Sequence, residues 1–343
     1  MNRRIKFLSL LLVLSLTAPA FAADSPPATE AAARQQAEQK LKAMGMEMPD
    51  QPPPGFDSWS AWLVFMREEF EPRCTPEMDL MVCGQQMVKD PLWSPWVKTR
   101  LDQLLAKDLK GQVAVFDADG TLWRYDAEYG FLHWLFTEGQ LDPVHARDGS
   151  PMADYLTTRL NSHGQGAAFA AFYLSGLQES RLKVLAQAFF QLKVRAYVYT
   201  SQQNLIRKLQ SAGAEVWIIS SLNQWLAEAG ARHLGVPPEH VIGTRLEVVD
   251  GRLTQKILEP VPSRQGKVEA IRKFIGKQPF LAIGDAWDDK EMLSYASQFR
   301  LVIHSHPDPA YAYLFAEASY PVELEQDKLQ GYAEAQHWLV QLW

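Results

Sequence analysis

The sequence predicts an α/β fold in which a parallel β-sheet carries helices on both faces, with a helical cap inserted after the first strand. Two observations predict the sheet: short, wholly apolar segments recur after residue 112, and helical periodicity separates the later ones. A third observation predicts the cap, because the stretch between the first two apolar segments is far longer than one crossover connection needs.

Residues 1–23 have the composition of a cleaved secretory signal peptide. Arg3, Arg4 and Lys6 precede the apolar segment FLSLLLVLSL, which is followed by the small-residue ending APAFAA. The apolar segment is too short to span a bilayer. We therefore expect a periplasmic or secreted protein whose mature chain has no membrane span.

Residues 24–107 are predicted to form an N-terminal arm followed by a helical elaboration. The segment AAARQQAEQKLKAM is typical of a helix, and DQPPPG behind it would end that helix. Further along, DPLWSPWVKTRLDQLLAKDL has helical spacing of its apolar residues. Cys74 and Cys83 are the only cysteines, and an oxidising compartment favours a local disulfide between them over two free buried thiols.

Residues 108–310 contain the segments that predict the sheet. Four apolar segments are expected to be strands: VAVFD, AEVWIISS, PFLAIGD and RLVIHS. The segment LEVVDGRLTQ predicts a hairpin with Asp-Gly at its turn. Helices are expected for NLIRKLQSAG and GKVEAIRKFIG, because each has helical spacing and ends in a glycine before a strand.

The inserted cap is expected at about residues 127–197. Three segments in it have helical patterns, namely YGFLHWLFTEG, GAAFAAFYLSGL and SRLKVLAQAFFQL. A cap that closes over the sheet edge excludes bulk water and favours a small substrate. Residues 311–343 are expected to form a C-terminal helical extension.

The composition favours a globular enzyme with a small-molecule substrate. The 343 residues are 47% hydrophobic and 22% charged, with a formal net charge of −6 at pH 7. Loss of residues 1–23 would remove three cations and no acid, so the mature chain would be still more acidic. Such a surface repels a polyanion, and we expect no nucleic-acid partner.

Polar residues finish three of the expected strands. Ligands in open α/β sheets bind beyond the carboxyl ends of the strands, so Asp117, Ser220 and Asp285 are expected at one edge. Lys267 lies at a nearby helix start, unless it is an ordinary solvated lysine. Two carboxylates, a hydroxyl and an ammonium group favour a site for Mg²⁺ and phosphate. Ser221 is expected to cap the following helix, a role that Ser220 could take instead.

The first of these strand ends also offers a nucleophile. Asp117 can attack phosphorus to form an aspartyl-phosphate, which divides a difficult displacement into two steps. Asp119 could protonate the leaving oxygen and then deprotonate the water that hydrolyses the intermediate. Gly120 would let the backbone turn close to the phosphate, and Thr121 would offer a hydroxyl and an N–H to it.

Four segments, DADGT, WIISS, QGKVEAI and GDAWDDKEML, resemble in this order the motifs of the haloacid dehalogenase superfamily, and the last two have the style of its phosphoserine-phosphatase-like branch. The resemblance covers about residues 112–306 and implies a Rossmann-like sheet. It implies these roles: Asp117 as nucleophile and metal ligand, Asp119 as acid/base with its carbonyl on the metal, Ser220 and Lys267 as phosphate binders, Asp285 as metal ligand and Asp289 as a support of the metal site.

Three residues near these motifs have open roles. Asp288 stands where that branch often has asparagine. Its role is therefore open: it is either a surface acid or a group that supports the site. His304 and His306 follow the last expected strand and could approach the site, although ordinary loop histidines are favoured.

The acid at position 119 distinguishes two activities of the superfamily. Its dehalogenases lack this acid, because a halide leaves without a proton, whereas an alkoxide leaving phosphorus needs one. Asp119 therefore favours a phosphatase, and we expect a Mg²⁺-dependent phosphomonoesterase that acts on a small phosphorylated metabolite. A noncatalytic binding protein with the same fold is the distant alternative, since every motif acid is present.

The residues behind the first motif are expected to choose the substrate. Trp123, Tyr125 and Tyr129, with acids among them, could hold a quaternary ammonium by cation–π attraction, unless they are only core of the cap. The segment DGTLWRYD is similar to that of exported bacterial phosphorylcholine phosphatases of this superfamily, which suggests phosphorylcholine. The alternatives are a phosphoserine phosphatase and a broad-specificity periplasmic acid phosphatase.

Overall fold

The computed structural model describes residues 29–43, 48, 58–60, 63, 93–124, 126–141, 155, 157–159, 163–304 and 322–343. The chain divides into two compact units, Met1–Asp90 and Pro91–Trp343. Four predictions concern residues outside the described ones: the signal peptide of residues 1–23, the disulfide of Cys74 and Cys83, and the roles of Tyr125 and His306.

In the first unit, the expected helix over AAARQQAEQKLKAM is present as α1 (Glu30–Ala43). Ala33 and Ala37, one turn apart, are its buried apolar residues. The carboxylate of Glu30 accepts hydrogen bonds from the hydroxyl of Ser60 (2.7 Å) and from the backbone N–H of Trp59. The start of the helix is thereby tied to the segment that follows it.

The second unit contains the predicted sheet, whose order is β4-β3-β2-β1-β5-β6-β7. Its strands are β1 (Val113–Phe116), β2 (Glu215–Asn223), β3 (Val241–Val249), β4 (Arg252–Leu258), β5 (Leu281–Gly284), β6 (Phe299–His304) and β7 (Leu339–Leu342). Neighbouring strands are parallel except β3 and β4. The expected hairpin turn between those two has Asp250 and Gly251 at positive φ, as a two-residue hairpin loop requires.

Helices of the second unit cover both faces of this sheet. They are α2 (Pro95–Leu105), α3 (Ala127–Thr137), α4 (His163–Phe172), α5 (Glu179–Phe189), α6 (Thr200–Ser211), α7 (Gln224–Leu234), α8 (Gln265–Ala270), α9 (Lys290–Tyr295) and α10 (Val322–Ala335). Residues of β1 alternate between two apolar clusters: Ala114 and Phe116 belong to one, Val113 and Val115 to the other. The predicted α/β class is therefore confirmed.

Three helices, α3, α4 and α5, lie in the segment expected to form the cap. The last of them continues through a π-helical turn, Phe190–Val194, to the start of α6. Phe131 of α3 packs against Phe189 of α5, with ring centroids 5.2 Å apart. Among the described helices, none combines the length and the apolar character needed to cross a membrane.

Two features add detail to the expected organisation. Helix α2 lies in the expected helical elaboration, and Val97, Leu101 and Leu104 place it in the core of the second unit. The expected C-terminal helical extension contains α10 and also β7, which pairs with β6. A buried side chain, Gln341, links the two features, since its Oε1 accepts a hydrogen bond from the N–H of Ser94 at 2.8 Å.

Candidate active site

Three neighbouring parallel strands bring the expected residues together. Asp117 directly follows β1, Ser220 lies near the end of β2, and Asp285 directly follows β5. Because β1 lies between the other two strands, the three side chains meet at the carboxyl edge of the sheet. All three are buried and line one cavity together with Asp119 and Lys267.

Three carboxylates form the centre of this cavity. One oxygen from each of Asp117, Asp285 and Asp289 lies within 4.8 Å of the other two. Burial raises the pKa of Asp117 to about 7, and the charge of Asp289 adds to the rise. Burial, followed by the charges of Asp289 and Asp117, raises the pKa of Asp285 well above its usual range. Burial therefore disfavours the ionised carboxylates, and a cation bound among them would stabilise their charged forms.

Lys267 supplies one cation to this cluster. The residue is 1% exposed, and its Nζ donates hydrogen bonds to Oδ1 of Asp117 and to Oδ1 of Asp289, both at 2.5 Å. Burial alone would lower the pKa of Lys267, but the charges of the two carboxylates outweigh it and raise that pKa. The ammonium group therefore stays charged next to the expected nucleophile.

Asp289 also holds the turn that follows β5. Its Oδ2 accepts hydrogen bonds from the backbone N–H groups of Asp285 (3.0 Å) and Ala286 (3.2 Å). Close packing requires the glycine before them, because a Cβ on Gly284 would lie 2.5 Å from the Cβ of Asp289. Asp289 therefore supports the backbone that carries Asp285.

Thr121 has a different partner from the one expected. Its hydroxyl donates to Oδ1 of Asp285 at 3.1 Å, and its carbonyl accepts from Nε2 of Gln202 at 3.0 Å. The side chain is fully buried and is not among the described residues that line the cavity. In this structure the hydroxyl therefore positions Asp285, and a contact of Thr121 with phosphate stays a prediction.

Gly120 meets Asp285 as well. Its φ is +77°, and a Cβ built on it would lie 2.1 Å from Oδ2 of Asp285. Both the left-handed backbone and the close approach require glycine at this position.

A matched pair of variants tests this close approach. Gly120→Ala should lower kcat/KM for p-nitrophenyl phosphate by at least about 100-fold, because it displaces Asp285 by a substantial part of an ångström or more. Gly251→Ala is the control, since Gly251 has φ +74° but its added Cβ would meet nothing within 4 Å. It should cost about 1 kcal/mol of stability, measured by thermal unfolding, and leave the rate unchanged. Equal rates for the two variants would contradict this role of Gly120.

Asp119 is held at the first turn of α3. Its Oδ1 accepts from Nε1 of Trp123 (2.6 Å), and its Oδ2 accepts from the backbone N–H groups of Ala127 (2.9 Å) and Glu128 (3.4 Å). Burial raises the pKa of Asp119 well above its usual range, and the charge of Asp126 adds to this. A carboxyl group with a raised pKa is suited to give a proton to a leaving oxygen.

The cap brings residues to the cavity that the motifs did not indicate. Tyr155, Arg159 and Glu128 line it on this side. Arg159 forms an ion pair with Asp126, and it also donates to the hydroxyl of Tyr155 at 3.1 Å. The carboxylate of Glu128 accepts from the backbone N–H of Asn223 at 2.6 Å and from its Nδ2 at 3.1 Å.

Two of the expected aromatic residues, Trp123 and Tyr129, lie elsewhere. Trp123 is fully buried in the apolar core, where its ring packs edge-on against Phe190 with centroids 5.4 Å apart. Tyr129 stacks on His133 with centroids 6.3 Å apart. Neither is among the described residues that line the cavity, so Tyr155 is the aromatic residue that the structure places there.

Ser221 and the following helix need one correction. The helix α7 begins at Gln224, two residues later than expected, and its N-cap is Asn223, whose Oδ1 accepts from the N–H of Leu226 at 3.0 Å. Ser221 still belongs to β2, so it is not the capping residue, and it lines the cavity next to Ser220.

Asp288 and His304, whose roles the sequence leaves open, have different surroundings. Asp288 is buried, lines the cavity and accepts a hydrogen bond from the hydroxyl of Ser263 at 2.6 Å, so it is not a surface acid. His304 contacts Gln330, and its Nε2 lies 3.6 Å from Asp327. Within the described part of the chain, His304 is not a lining residue of the cavity.

The donor set fits a divalent cation. Mg²⁺ prefers oxygen ligands and is usually bound by one or two carboxylates together with water and substrate phosphate. The carboxylates of Asp117 and Asp285 converge in this way, and burial disfavours their ionised forms without a further positive charge. The residues present therefore suit Mg²⁺ at this edge of the sheet.

Comparison with known proteins places these residues in a family. The sequence profile of the haloacid dehalogenase-like hydrolases matches residues 114–294, more than half of the chain. A histidinol-phosphatase from Neisseria meningitidis is 26% identical over 172 residues, which are 48% of this chain and 75% of that protein. A phosphoserine phosphatase from Streptomyces coelicolor is 32% identical over 111 residues, covering 30% of this chain and 27% of that enzyme.

A solved structure agrees with the fold. The crystal structure of a protein of unknown function from Bordetella pertussis Tohama I has a TM-score of 0.52 and 23% sequence identity, and the match covers 68% of this chain and 98% of that one. The expected enzyme class, a phosphatase, is confirmed by the family match together with the two curated relatives. The chain belongs to the haloacid dehalogenase-like hydrolase family.

Proposed function

We propose that this phosphatase is a Mg²⁺-dependent phosphomonoesterase that acts on a small metabolite through an aspartyl-phosphate on Asp117. The observation that carries the proposal is the buried carboxylate cluster at the sheet edge, with Lys267 on one side of Asp117 and Asp119 in the same cavity. A nucleophile, a positive charge for the phosphoryl oxygens and a proton donor are the three groups that this reaction needs.

The metal would be held by Asp117, the carbonyl of Asp119, and Asp285, with Asp289 supporting them. When bound, it would offset negative charge on the phosphoryl oxygens. Ser220, which is buried at the end of β2, and the ammonium group of Lys267 would bind the same phosphoryl group.

The chemistry then proceeds in two displacements. In the first, an oxygen of Asp117 forms a bond to phosphorus while the bond from phosphorus to the ester oxygen breaks, and Asp119 gives its proton to that leaving oxygen. In the second, Asp119 takes a proton from water as the water oxygen attacks phosphorus. The bond from phosphorus to Asp117 breaks, which releases inorganic phosphate and restores both carboxyl groups.

The charge of the cavity favours a substrate whose leaving group is a cation. Among the described lining residues are seven acids and two cations: Asp117, Asp119, Glu128, Asp285, Asp288, Asp289 and Glu325, with Arg159 and Lys267. With Asp119 protonated as the proposed acid, the other six acids still outweigh the two cations and one divalent metal. Glu128 and Glu325 lie outside the metal cluster, where they would attract an ammonium group on the alcohol part of the substrate.

This interpretation supports an ammonium ester without a carboxylate. Arg159 is paired with Asp126, so its charge is offset, and a substrate carboxylate would face Glu128 and Glu325. We therefore propose phosphorylcholine or a similar alkylammonium ester, with Tyr155 in place of Trp123 as the aromatic contact. The names of the two curated relatives supply the second candidates, histidinol phosphate and phosphoserine, which also carry an ammonium group.

A matched pair of substrates tests the proposed charge recognition. Phosphorylcholine and 3,3-dimethylbutyl phosphate have the same shape, but only the first has a positively charged alcohol part. In the presence of Mg²⁺, kcat/KM should be at least about tenfold higher for phosphorylcholine, because the dimethylbutyl ester lacks the ammonium group that the acids attract. Equal values would overturn the cation proposal, and a higher value for phosphoserine or histidinol phosphate would replace the substrate.

A variant of the cavity wall complements the substrate pair. Glu325→Gln should lower the preference for phosphorylcholine over the dimethylbutyl ester at least about fivefold, which corresponds to the loss of ~1 kcal/mol of attraction. Glu334→Gln is the control, because Glu334 is an exposed acid of the same helix. An unchanged preference in Glu325→Gln would show that Glu325 does not recognise the cation.

We further propose that the protein is exported and that Cys74 and Cys83 form a disulfide. Both proposals rest on the sequence of residues outside the described ones. Thiol titration of the denatured mature protein with and without reductant tests the disulfide, since free thiols without reductant would contradict it.

A further inference from the structure

Helix α10 places a buried side chain against the carboxylate cluster. Nε2 of Gln326 donates a hydrogen bond to Oδ2 of Asp285 at 2.9 Å, and the side chain is 4% exposed. Residue 326 lies beyond residues 114–294, the part of the chain that matches the family. A residue outside the family region therefore contacts an acid of the proposed metal site.

The two oxygens of Asp285 have different donors. Oδ1 accepts from the hydroxyl of Thr121 at 3.1 Å, and Oδ2 accepts from Gln326. Together these two bonds fix the rotation of the carboxylate about its Cβ–Cγ bond. Each carboxylate oxygen has two lone pairs, so both oxygens keep a lone pair for a metal ion.

The chemistry of the amide suits this task. Lys267 offsets the charge of Asp117 and Asp289, whereas the neutral amide of Gln326 orients Asp285 without cancelling its charge. Oε1 of Gln326 is buried and has no hydrogen-bond partner within the described residues. The amide is therefore oriented by Asp285, since turning Oε1 towards a carboxylate would place two acceptors together.

Packing holds α10 at this place. Leu329 is fully buried in the apolar cluster on one face of the sheet. Tyr332 packs edge-on against Trp287, with ring centroids 5.7 Å apart, and Nζ of Lys328 lies 4.2 Å from the centroid of the Trp287 ring. Trp287 belongs to the turn directly after Asp285, so the helix is anchored to the segment whose carboxylate Gln326 contacts.

We propose that Gln326 is a positioning residue that holds Asp285 in the orientation for binding Mg²⁺, so that the C-terminal helix is part of the metal site. This inference rests on the proposed function, because it assumes that Mg²⁺ binds at the carboxylate cluster. Groups that orient metal ligands through hydrogen bonds typically change metal affinity 10- to 100-fold when they are removed.

The test is titration of the full-length mature protein with Mg²⁺ alone by isothermal titration calorimetry. Gln326→Met removes the donor at similar volume and should weaken Mg²⁺ binding about tenfold or more. The concentration of Mg²⁺ that gives half-maximal activity should rise by the same factor. At saturating Mg²⁺, kcat should stay within about threefold of the wild-type value. A general structural defect would not allow activity to recover in this way.

Gln330→Met is the matched control, because Gln330 lies one turn further along α10 and its Nε2 bonds to Glu334 at 2.7 Å. It should bind Mg²⁺ like the wild type. Gln326→Ala is the second variant and should show the same loss of Mg²⁺ affinity. It also takes the place of Gln326→Met if that variant does not unfold cooperatively. Wild-type affinity in either Gln326 variant would overturn this inference alone. Absence of Mg²⁺ binding by the wild type would overturn the proposed function, and this inference with it.

Discussion

Asp117→Asn should lower kcat/KM at least about 10⁴-fold for every phosphomonoester that the wild type hydrolyses. The amide keeps an acceptor for the ammonium group of Lys267, so the fold should be retained, but it cannot attack phosphorus and regenerate as a carboxylate does. Steady-state phosphate release in the presence of Mg²⁺ measures the loss, and thermal unfolding checks that the variant is folded.

A second acid of the same cavity provides the control for that result. Asp288→Asn makes the same chemical change at a buried residue that bonds to Ser263 and is outside the three-carboxylate cluster. Its rate should fall less than about tenfold. If both variants lost the same factor, the loss would reflect the charge of the cavity and would contradict Asp117 as the nucleophile.

Asp119→Asn should have the second-largest effect, with kcat/KM for an alkyl ester falling about 10²- to 10⁴-fold. An alkoxide leaves poorly without a proton, whereas p-nitrophenoxide is a stable anion and leaves readily. The variant should therefore transfer the phosphoryl group from p-nitrophenyl phosphate in a rapid burst of p-nitrophenol. Slow turnover should follow, because no base then activates water.

Trp123→Phe tests the hydrogen bond to Asp119 apart from the carboxyl group of Asp119 itself. It removes the Nε1 donor to Asp119 but keeps the carboxyl group and an aromatic ring in the core. We expect a smaller loss, by less than about 100-fold, and no burst. Similar rate losses for alkyl and p-nitrophenyl esters in Asp119→Asn would show that Asp119 is not the proton donor.

Much of the fold and the centre of the site could be predicted from sequence because their signals are local. A buried parallel strand needs an apolar run, and a ligand site lies where such a run ends. Asp117 and Asp285 could thus be placed at one edge before the strand order was known. The hairpin was equally local, since Asp250 and Gly251 suit its turn.

The remaining features depend on contacts between distant segments. Gln326 lies 41 residues beyond Asp285, in a helix whose pattern gives no indication of a site. Glu128 could not be recognised as a cavity residue, because it lies in a largely apolar helix and its partner Asn223 is 95 residues away. Trp123 shows the opposite error, because an aromatic next to a motif suggests a ligand contact, yet its ring packs in the core.

Detection of the phosphoenzyme is the sharpest test of Asp117 as the nucleophile. Asp119→Asn protein is mixed with p-nitrophenyl phosphate and Mg²⁺, quenched in acid within the burst, digested and analysed by tandem mass spectrometry. We expect a phosphoryl group on the peptide that contains residue 117, located on Asp117 itself, and none in the Asp117→Asn/Asp119→Asn double variant. A phosphoryl group on another residue, or a burst that persists in the double variant, would contradict it.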